Sequence, residues 1–328
     1  MLMSHPSPGL VWAFRIRADG TAEELDVDQP LGDYPDGWLW LHFNLVEAPA
    51  CAFLKSLPDL PPAAIDAMVQ RHHHLQLHVG AACVYGVIAD LCCTLSGVED
   101  QFGFLHFVMT ERYLITGRRR ALNAVEATRQ ALQNGQRVAT AASLFELIIE
   151  HVAQAIDNLA GEIALEMDQI EERILDSDTG DHRQKLGIFR RKTVPLHRQL
   201  SGLRTLFHRL ERSGSGDLKP PLRLAAGRLS QRLDGLDHEI EALRERARVL
   251  QEEIAHQLAE ESNRHLHVLT VVTILFLPPT LIAGLFGMNL HGLPFSESDS
   301  GFWAGVIAAL ISSAAVYAVL RWLGIRSL

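Results

Sequence analysis

The C-terminal part of the chain has almost no formal charge. After His265 it carries only Glu297, Asp299, Arg321 and Arg326, and the stretches 265–289 and 302–320 carry none. A soluble surface needs charged side chains, so neither stretch forms the outside of a soluble domain. Each is long enough to cross a hydrocarbon core of about 30 Å at about 1.5 Å per residue. The sequence therefore predicts two C-terminal transmembrane helices.

The chain also lacks the features of an exported protein. It has only four cysteines, Cys51, Cys83, Cys92 and Cys93, and none of them forms a CxxC pair. Zinc ribbons and redox motifs need that spacing, so we expect free thiols in the core of a domain kept in a reducing compartment. The opening residues, MLMSHPSPGL, contain no basic segment followed by an apolar one. We therefore expect no cleaved signal peptide and a cytosolic N-terminal region.

The distribution of charge predicts the topology. The net charge is −9, which argues against a nucleic-acid partner and is compatible with handling cations. The segment 290–301 between the two spans has no Lys or Arg, whereas Arg264 precedes the first span and Arg321 and Arg326 follow the second. Because positive residues stay on the cytosolic side, we expect both termini in the cytoplasm and the connecting loop outside.

Residues from Gly9 to about Gly117 have the pattern of a mixed α/β domain. Strands are predicted at 10–16, 38–43, 84–91, 102–109 and 112–116, where aromatic and β-branched residues lie between Gly, Asp and Ser. Short helices are predicted at 48–56 and 62–70. The basic run Arg118-Arg119-Arg120 follows the last strand and forms either a solvated turn or a contact with phosphate or lipid.

From residue 122 the apolar spacing becomes helical. Helices are predicted at 143–176 and 182–212, before the break at Ser213-Gly214-Ser215-Gly216. A third helix has no strong breaker between Pro221 and Phe286, so it runs from the cytosol into the membrane for roughly 100 Å. A helix of that length needs partners along its length. These patterns divide the chain into a cytosolic α/β and helical domain (1–215), a stalk helix (216–265), a first transmembrane helix (266–289), a periplasmic loop (290–301) and a second transmembrane helix (302–323).

The first span is the better candidate for lining a pore. Two helices cannot enclose water, so a pore needs several copies around an axis. Threonine, leucine and glycine recur along one stripe of the span: Leu266, Thr270, Thr273, Leu277, Thr280, Gly284 and Gly287. The hydroxyls suit a hydrated cation, and the leucines suit a hydrophobic gate. Alternatively, Thr and Gly only allow close helix packing in lipid.

Two features in the outer half of the first span also favour a pore-lining role. Pro278-Pro279 leaves the carbonyls of Ile274 and Leu275 without their usual donors, so they need water or a side chain. This favours a water-lined path or hinge near Thr280, although a simple kink also explains it. The span ends in Gly287-Met288-Asn289, where an asparagine side chain and the last carbonyls present oxygen dipoles to an incoming hydrated cation.

Candidate metal ligands lie on the cytosolic side. Glu253, His256, Glu260 and His267 lie along or beside the extension of the same stripe, and copies around an axis would stack them into rings of carboxylate and imidazole. Imidazole suits zinc and nickel better than magnesium. The alternative is a solvated helix with i,i+4 pairs. The histidine cluster at 72–74 with His78 is either a regulatory zinc site or a solvated loop.

These residues together resemble the CorA superfamily of two-span divalent-cation transporters with a GxN motif. The resemblance is carried by FLPPTLIAGLFGMN at 276–289, by Gly-Leu-Pro at 292–294, by Gly-Phe-Trp at 301–303 and by ERYLIT at 111–116. Within the superfamily the chain is most similar to the ZntB zinc transporters. Phe295 stands where the magnesium branch typically has an acidic residue. ZntB proteins often have Gly at the position of His291. This histidine is an extra outer ligand, a proton acceptor or an incidental change.

The resemblance implies an α/β N-terminal cytosolic domain, then long helices and two C-terminal transmembrane helices, in a CorA-like funnel. It implies a homopentamer in the bacterial inner membrane that passes Zn²⁺, with Cd²⁺, Ni²⁺ or Co²⁺ as further ions, coupled to protons. Gly287, Met288 and Asn289 would form the outer selectivity ring and Thr280 an inner ring. No enzyme activity and no prosthetic group are implied. The alternatives are a magnesium/cobalt channel, zinc efflux through the same pore, and a membrane-anchored scaffold.

Overall fold

The computed structural model describes residues 8–30, 32, 34, 36–56, 60–71, 74–80, 83–93, 102–175, 182–212, 220–288 and 301–322. It divides into two compact units, Met1–Val249 and Leu250–Leu328. In chain order the elements are β1 Leu10–Ile16, β2 Ala22–Leu25, β3 Trp38–Asn44, α1 Ala48–Ser56, α2 Pro62–Val69, β4 Gln76–Val79, β5 Val84–Leu91, β6 Phe102–Met109, β7 Tyr113–Arg118, α3 Asn123–Gln133, α4 Ala141–Leu175, α5 His182–Arg212, α6 Pro220–Gly287 and α7 Gly301–Trp322.

The first unit contains a seven-stranded sheet in the order β2-β1-β3-β7-β6-β5-β4. Among the described strands, β3 and β7 form the only parallel pair, with Leu39 opposite Tyr113 and Asn44 opposite Arg118. Neighbouring pairs elsewhere in the sheet are antiparallel. The predicted strands are therefore confirmed. The edge strands β2 and β4 were not predicted, because four residues are too few to show a period.

Helices cover both faces of this sheet. Strand residues alternate between the faces. One set, which includes Leu41 and Ile115, forms a core with Leu54 of α1 and Met68 of α2. The alternate set meets α3 and α4: the ring of Phe107 packs on Phe145 at 4.3 Å, and the guanidinium of Arg129 lies 5.0 Å from the ring of Trp12. The helices that follow β3 and β7 thus lie on opposite faces.

The part of α6 that belongs to the first unit packs on α4 and α5. Apolar residues at three- and four-residue spacing are buried along both α4 and α6, which include Ile156, Ile163, Leu229 and Leu236. Ion pairs flank this core: Arg232 Nη2 lies 2.8 Å from Asp157 Oδ2, and Arg204 Nη1 lies 2.6 Å from Asp237 Oδ2. The periodic apolar face predicted for residues 143–176 is confirmed in α4.

The four cysteines are free, as expected, but only Cys83 is buried, and Cys93 is exposed. The expectation of thiols in the core is therefore correct for Cys83 and wrong for Cys93. Cys93 directly follows Cys92, which pairs with Leu122 in an isolated bridge just beyond the end of β5. The N–H of Cys93 still donates to the carbonyl of Ala121 at 3.1 Å, but its side chain is exposed.

In the second unit, α7 covers one side of the apolar part of α6. The half-buried residues of α6 are Val271, Leu275, Pro278, Pro279 and Ile282, which lie on a single helical face. On α7 the half-buried positions include the small residues Gly305, Ala309, Ser312 and Ser313. Small residues let helices approach closely in lipid. A Cβ on Gly305 would sit 3.5 Å from Cγ of Phe286, which is ordinary contact distance, so the ring leaves space for a methyl group at this position.

The contact also satisfies a carbonyl that the prolines leave open. Pro279 cannot donate to the carbonyl of Leu275, and Ser313 Oγ of α7 donates to that oxygen instead, at 3.4 Å. The expectation that these carbonyls need a new partner is therefore correct for Leu275. That partner is a side chain of α7, because the prolines face α7 and not the opposite side.

Asp90 links the sheet to α3. Leu122 at the start of α3 has no side-chain acceptor, and Asp90 Oδ2 of β5 accepts the backbone N–H of Ala124 at 2.9 Å. Burial raises the pKa of the Asp90 carboxyl from its ordinary value of 3.8 to about 7, although the hydrogen bonds from the backbone oppose that shift. A buried carboxyl therefore caps a helix that packs against the sheet.

We expect Asp90→Asn to make stability less dependent on pH. Between pH 3.8 and about 7 the folded state keeps a proton that the unfolded state has released, so raising the pH favours unfolding. From pH 5 to pH 7 the loss is about 2–3 kcal/mol. Melting temperatures of the full chain in detergent at both pH values measure it. The exposed Asp28→Asn should behave as wild type, and an unchanged pH difference in Asp90→Asn would contradict the expectation.

We expect Gly305→Leu to destabilise the packing of α7 on α6. The added side chain would meet the ring of Phe286, and such overpacking costs about 1–3 kcal/mol. Gly305→Ala should be tolerated, because its Cβ would lie at ordinary contact distance from that ring. The matched control is Ala314→Leu, at an exposed position of α7. Melting temperatures in detergent distinguish the variants. Equal destabilisation by Gly305→Leu and Ala314→Leu would refute this packing.

Candidate functional site

The predicted stripe of α6 lies on the side opposite α7. Residues of an α-helix are about 100° apart, which places the stripe about half a turn from the face that α7 covers. The described members are all exposed: Leu266, Thr270, Thr273, Leu277, Thr280, Gly284, Gly287 and Met288. Leu266 is 58% exposed and Leu277 is 62% exposed, which is far more than an apolar side chain keeps in a finished soluble fold. This face of α6 therefore needs a partner outside the chain.

The α6 and α7 helices are long and apolar enough to cross a membrane. Within the most apolar window of each helix, 0% of the residues of α6 and 6% of those of α7 are fully buried in the chain. Large side chains on α7, such as Ile307, Leu310 and Ile311, are more than half exposed. A lipid environment would cover this surface without exposing apolar groups to water.

The threonine hydroxyls of the stripe donate their hydrogen bonds within α6. Thr270 donates its proton to the carbonyl of Leu266 at 2.8 Å, and Thr280 donates to the carbonyl of Phe276 at 2.6 Å. Thr273 makes the same bond one helical turn further along than Thr270. Because each proton is used within the helix, only the lone pairs of each oxygen remain for an outside partner. Water molecules around a cation point their hydrogens outward, so these oxygens match a hydrated cation.

An open groove follows this face toward the end of α6. It has a volume of about 720 Å³ and is lined by stripe residues together with neighbouring apolar ones: Thr273, Phe276, Leu277, Thr280, Leu281, Gly284, Leu285 and Met288. The apolar walls bind water weakly, and the hydroxyls give discrete polar positions along them. Such alternation is typical of pore surfaces that pass hydrated ions.

The candidate metal ligands Glu253, His256, Glu260 and His267 do not form a metal site within one chain. His256 Nδ1 lies 3.8 Å from Glu260 Oε1, and both side chains are more than two-thirds exposed. Glu253 Oε1 accepts a hydrogen bond from Gln257 at 3.2 Å, and His267 is exposed. Among the residues that the structure describes, no three His, Cys, Asp or Glu side chains are grouped so that they could hold a metal ion. A ring of copies would be needed to bring these groups together.

Several predicted residues fall outside the described part of the chain. Asn289 and His291 are among them, as are His72 and His73 of the histidine cluster. The structure describes α6 up to Gly287 and then Met288, whose N–H donates to the carbonyl of Leu285 at 3.4 Å. His78 lies on β4, where its ring stacks on Tyr85 at 5.1 Å.

The role of Ser313 was missed from the sequence. A polar pair, Ser312-Ser313, in the middle of an apolar span indicates a partner, because unsatisfied hydroxyls are costly in lipid. The partner itself could not be named, since Leu275 is 38 positions away along the chain.

Comparison with known proteins agrees with this geometry. The family model of the CorA-like Mg2+ transporter protein matches residues 35–322. The divalent cation transporter CmaX of Pseudomonas aeruginosa is 26% identical over 324 residues, which cover 96% of this chain and 97% of that protein. The zinc transport protein ZntB of an Enterobacter species is 25% identical over 316 residues, which cover 93% of this chain and 92% of that protein.

Solved structures show the same fold over nearly the whole chain. The structure of full-length CmaX aligns with a TM-score of 0.80 at 25% identity and covers 98% of this chain and 99% of that one. The complete CorA magnesium transporter from Methanocaldococcus jannaschii aligns with a TM-score of 0.79 at 15% identity and covers 95% of this chain and 98% of that one. The expected resemblance is therefore confirmed, and the chain belongs to the CorA-like family of divalent-cation transporters.

Proposed function

We propose that this protein carries Zn²⁺ across the bacterial inner membrane, through a pore along the axis of a homopentamer. The observation that carries the proposal is the exposed threonine face of α6. It lies opposite α7 and presents acceptor oxygens and leucines along one stripe. Copies of α6 arranged around an axis would turn these stripes inward and leave α7 toward lipid. The number of copies, five, rests on the CorA resemblance.

The segments take the roles that the sequence predicts. Residues 1–215 form the cytosolic domain, 216–265 the stalk, 266–289 the pore helix, 290–301 the periplasmic loop and 302–323 the lipid-facing helix. Asn289, with Gly287 and Met288, forms the outer selectivity ring, and His291 lies just beyond it. Both termini are cytoplasmic, because Lys and Arg are absent from the loop.

Zinc is favoured over magnesium by two observations. Phe295 replaces the acidic residue expected in the magnesium branch, and one relative of nearly equal similarity is a zinc transport protein. Glu253, His256, Glu260 and His267 would form imidazole and carboxylate rings below the pore, and imidazole binds zinc far better than magnesium. Proton coupling and uptake follow from the resemblance and from the inward-negative potential, which draws cations in.

A magnesium/cobalt channel is the second candidate, because the family model that matches the chain is named for Mg²⁺. Zinc efflux through the same pore would use the same residues in the opposite direction. Flux measurements distinguish which ion is transported and in which direction. The geometry of the pore does not distinguish them.

We expect proteoliposomes that contain the purified protein to take up zinc and not magnesium. Uptake should increase when a pH gradient drives protons in the same direction as zinc, because the two ions share the route. Fluorescent zinc and magnesium indicators trapped inside the vesicles measure it, with sided vesicles to fix direction. Entry of magnesium without zinc would reject the zinc assignment, and zinc flux independent of the pH gradient would reject proton coupling.

We expect zinc flux to depend on Asn289 in the outer selectivity ring. Asn289→Ala should abolish selective zinc flux while the oligomer persists, because it removes the ring of amide oxygens. Asn158→Ala is the matched control, since Asn158 lies exposed on α4 and accepts a hydrogen bond from Gln154. Unchanged zinc flux in Asn289→Ala would remove that residue from the mechanism.

A further inference from the structure

A hollow opens at the carboxyl ends of the two parallel strands. β3 ends at Asn44 and β7 ends at Arg118, and these residues are opposite each other in the sheet. Beyond them lies a space of about 500 Å³, which we call the β3/β7 hollow. Its walls include Val11, Asn44, Val46, Glu47, Arg118 and Arg120. It lies wholly in the first unit and is separate from the predicted ion pathway.

The position of the hollow is one where open α/β sheets bind ligands. The chain leaves β3 for α1 and α2 on one face of the sheet, and it leaves β7 for α3 on the opposite face. Where helices depart to opposite faces, the ends of adjacent parallel strands cannot be covered by either helix. The crevice that remains is open to a small molecule.

Three consecutive arginines make this hollow cationic. Arg119 holds the wall together, because Nη1 donates to the carbonyl of Leu45 at 2.7 Å and Nη2 donates to the carbonyl of Val69 at 2.9 Å. The guanidinium of Arg118 lies 5.7 Å from the ring of Trp12, which limits its freedom before a ligand arrives. Arg120 is exposed at the same edge. Planar guanidinium groups are suited to bidentate contacts with phosphate.

One carboxylate faces these cations. Glu47 Oε1 accepts a hydrogen bond from Asn44 Nδ2 at 3.0 Å, at the start of α1. Both residues line the hollow. The described lining thus carries three positive side chains and one negative side chain. An anionic ligand would be attracted by the arginines and repelled by Glu47.

The apolar walls limit the kind of anion. Val11 is 37% exposed and Val46 is 65% exposed, and both line the hollow beside the arginines. Sites for small organic molecules have volumes of about 300–1,000 Å³, so the hollow is far larger than a lone phosphate needs. We propose that the β3/β7 hollow binds a soluble organic phosphate of mononucleotide size, with the phosphate at Arg118 and Arg120 and the apolar part against Val11 and Val46.

Calorimetric titration of the full chain in detergent with AMP tests this proposal. We expect one AMP per chain, no binding of adenosine and at least about tenfold weaker binding of inorganic phosphate, since each lacks one half of the contacts. The double variant Arg118→Gln/Arg120→Gln should weaken AMP binding about tenfold or more. Arg119 is left intact, because its hydrogen bonds hold the wall.

Two further variants distinguish specific binding in the β3/β7 hollow from nonspecific electrostatic attraction and from misfolding. Glu47→Gln should tighten AMP binding by about two- to fivefold, because it removes the opposing charge, and misfolding cannot produce that gain. Arg137→Gln, which changes an exposed arginine away from the hollow, should bind as wild type does.

The following results would overturn the proposal. They are no AMP binding by the wild type, equal affinity of the double variant, and binding of dihexanoyl phosphatidic acid in place of AMP. The last result would assign the arginines to a lipid headgroup.

Discussion

A single chain cannot cover the apolar part of α6 by itself. α7 packs on one face, where Ser313 donates a hydrogen bond to the carbonyl of Leu275, and the opposite face stays exposed. Apolar surface of this extent is stable only in lipid or against other protein. The exposed face of α6 therefore has to meet lipid or another protein surface.

The backbone carbonyls on the two faces of α6 accept hydrogen bonds from different side chains. On the covered face the prolines remove donors, and Ser313 supplies one for the carbonyl of Leu275. On the exposed face Thr270 and Thr280 use their protons on carbonyls that already belong to the helix. The first arrangement joins two helices of the chain, and the second leaves acceptor oxygens for an outside partner. The same helix thus has one side suited to packing and one suited to a hydrated cation.

Much of the fold was predictable, because local patterns determine it. β1, β5 and β6 are runs of seven or eight residues rich in apolar, aromatic and β-branched side chains, and α6 continues through 68 residues, including Pro278 and Pro279. Contacts between distant positions were not predictable: β7 lies beside β3 although some seventy residues separate them, and this parallel pairing creates the hollow at Arg118. The threonine stripe was predicted as a candidate site. Its position opposite α7 could not be predicted, because it depends on how α7 packs on α6.

Water accessibility of Thr280 tests most directly whether the exposed face of α6 lines an aqueous passage. In a chain whose four cysteines are replaced by alanine, Thr280→Cys and Leu310→Cys would each be exposed in proteoliposomes to a charged, membrane-impermeant thiol reagent. The Thr280→Cys thiol should react and be slowed by zinc, whereas the Leu310→Cys thiol on α7 should stay unmodified in lipid. An inert Thr280→Cys thiol, or a reactive Leu310→Cys thiol, would contradict a pore lined by α6.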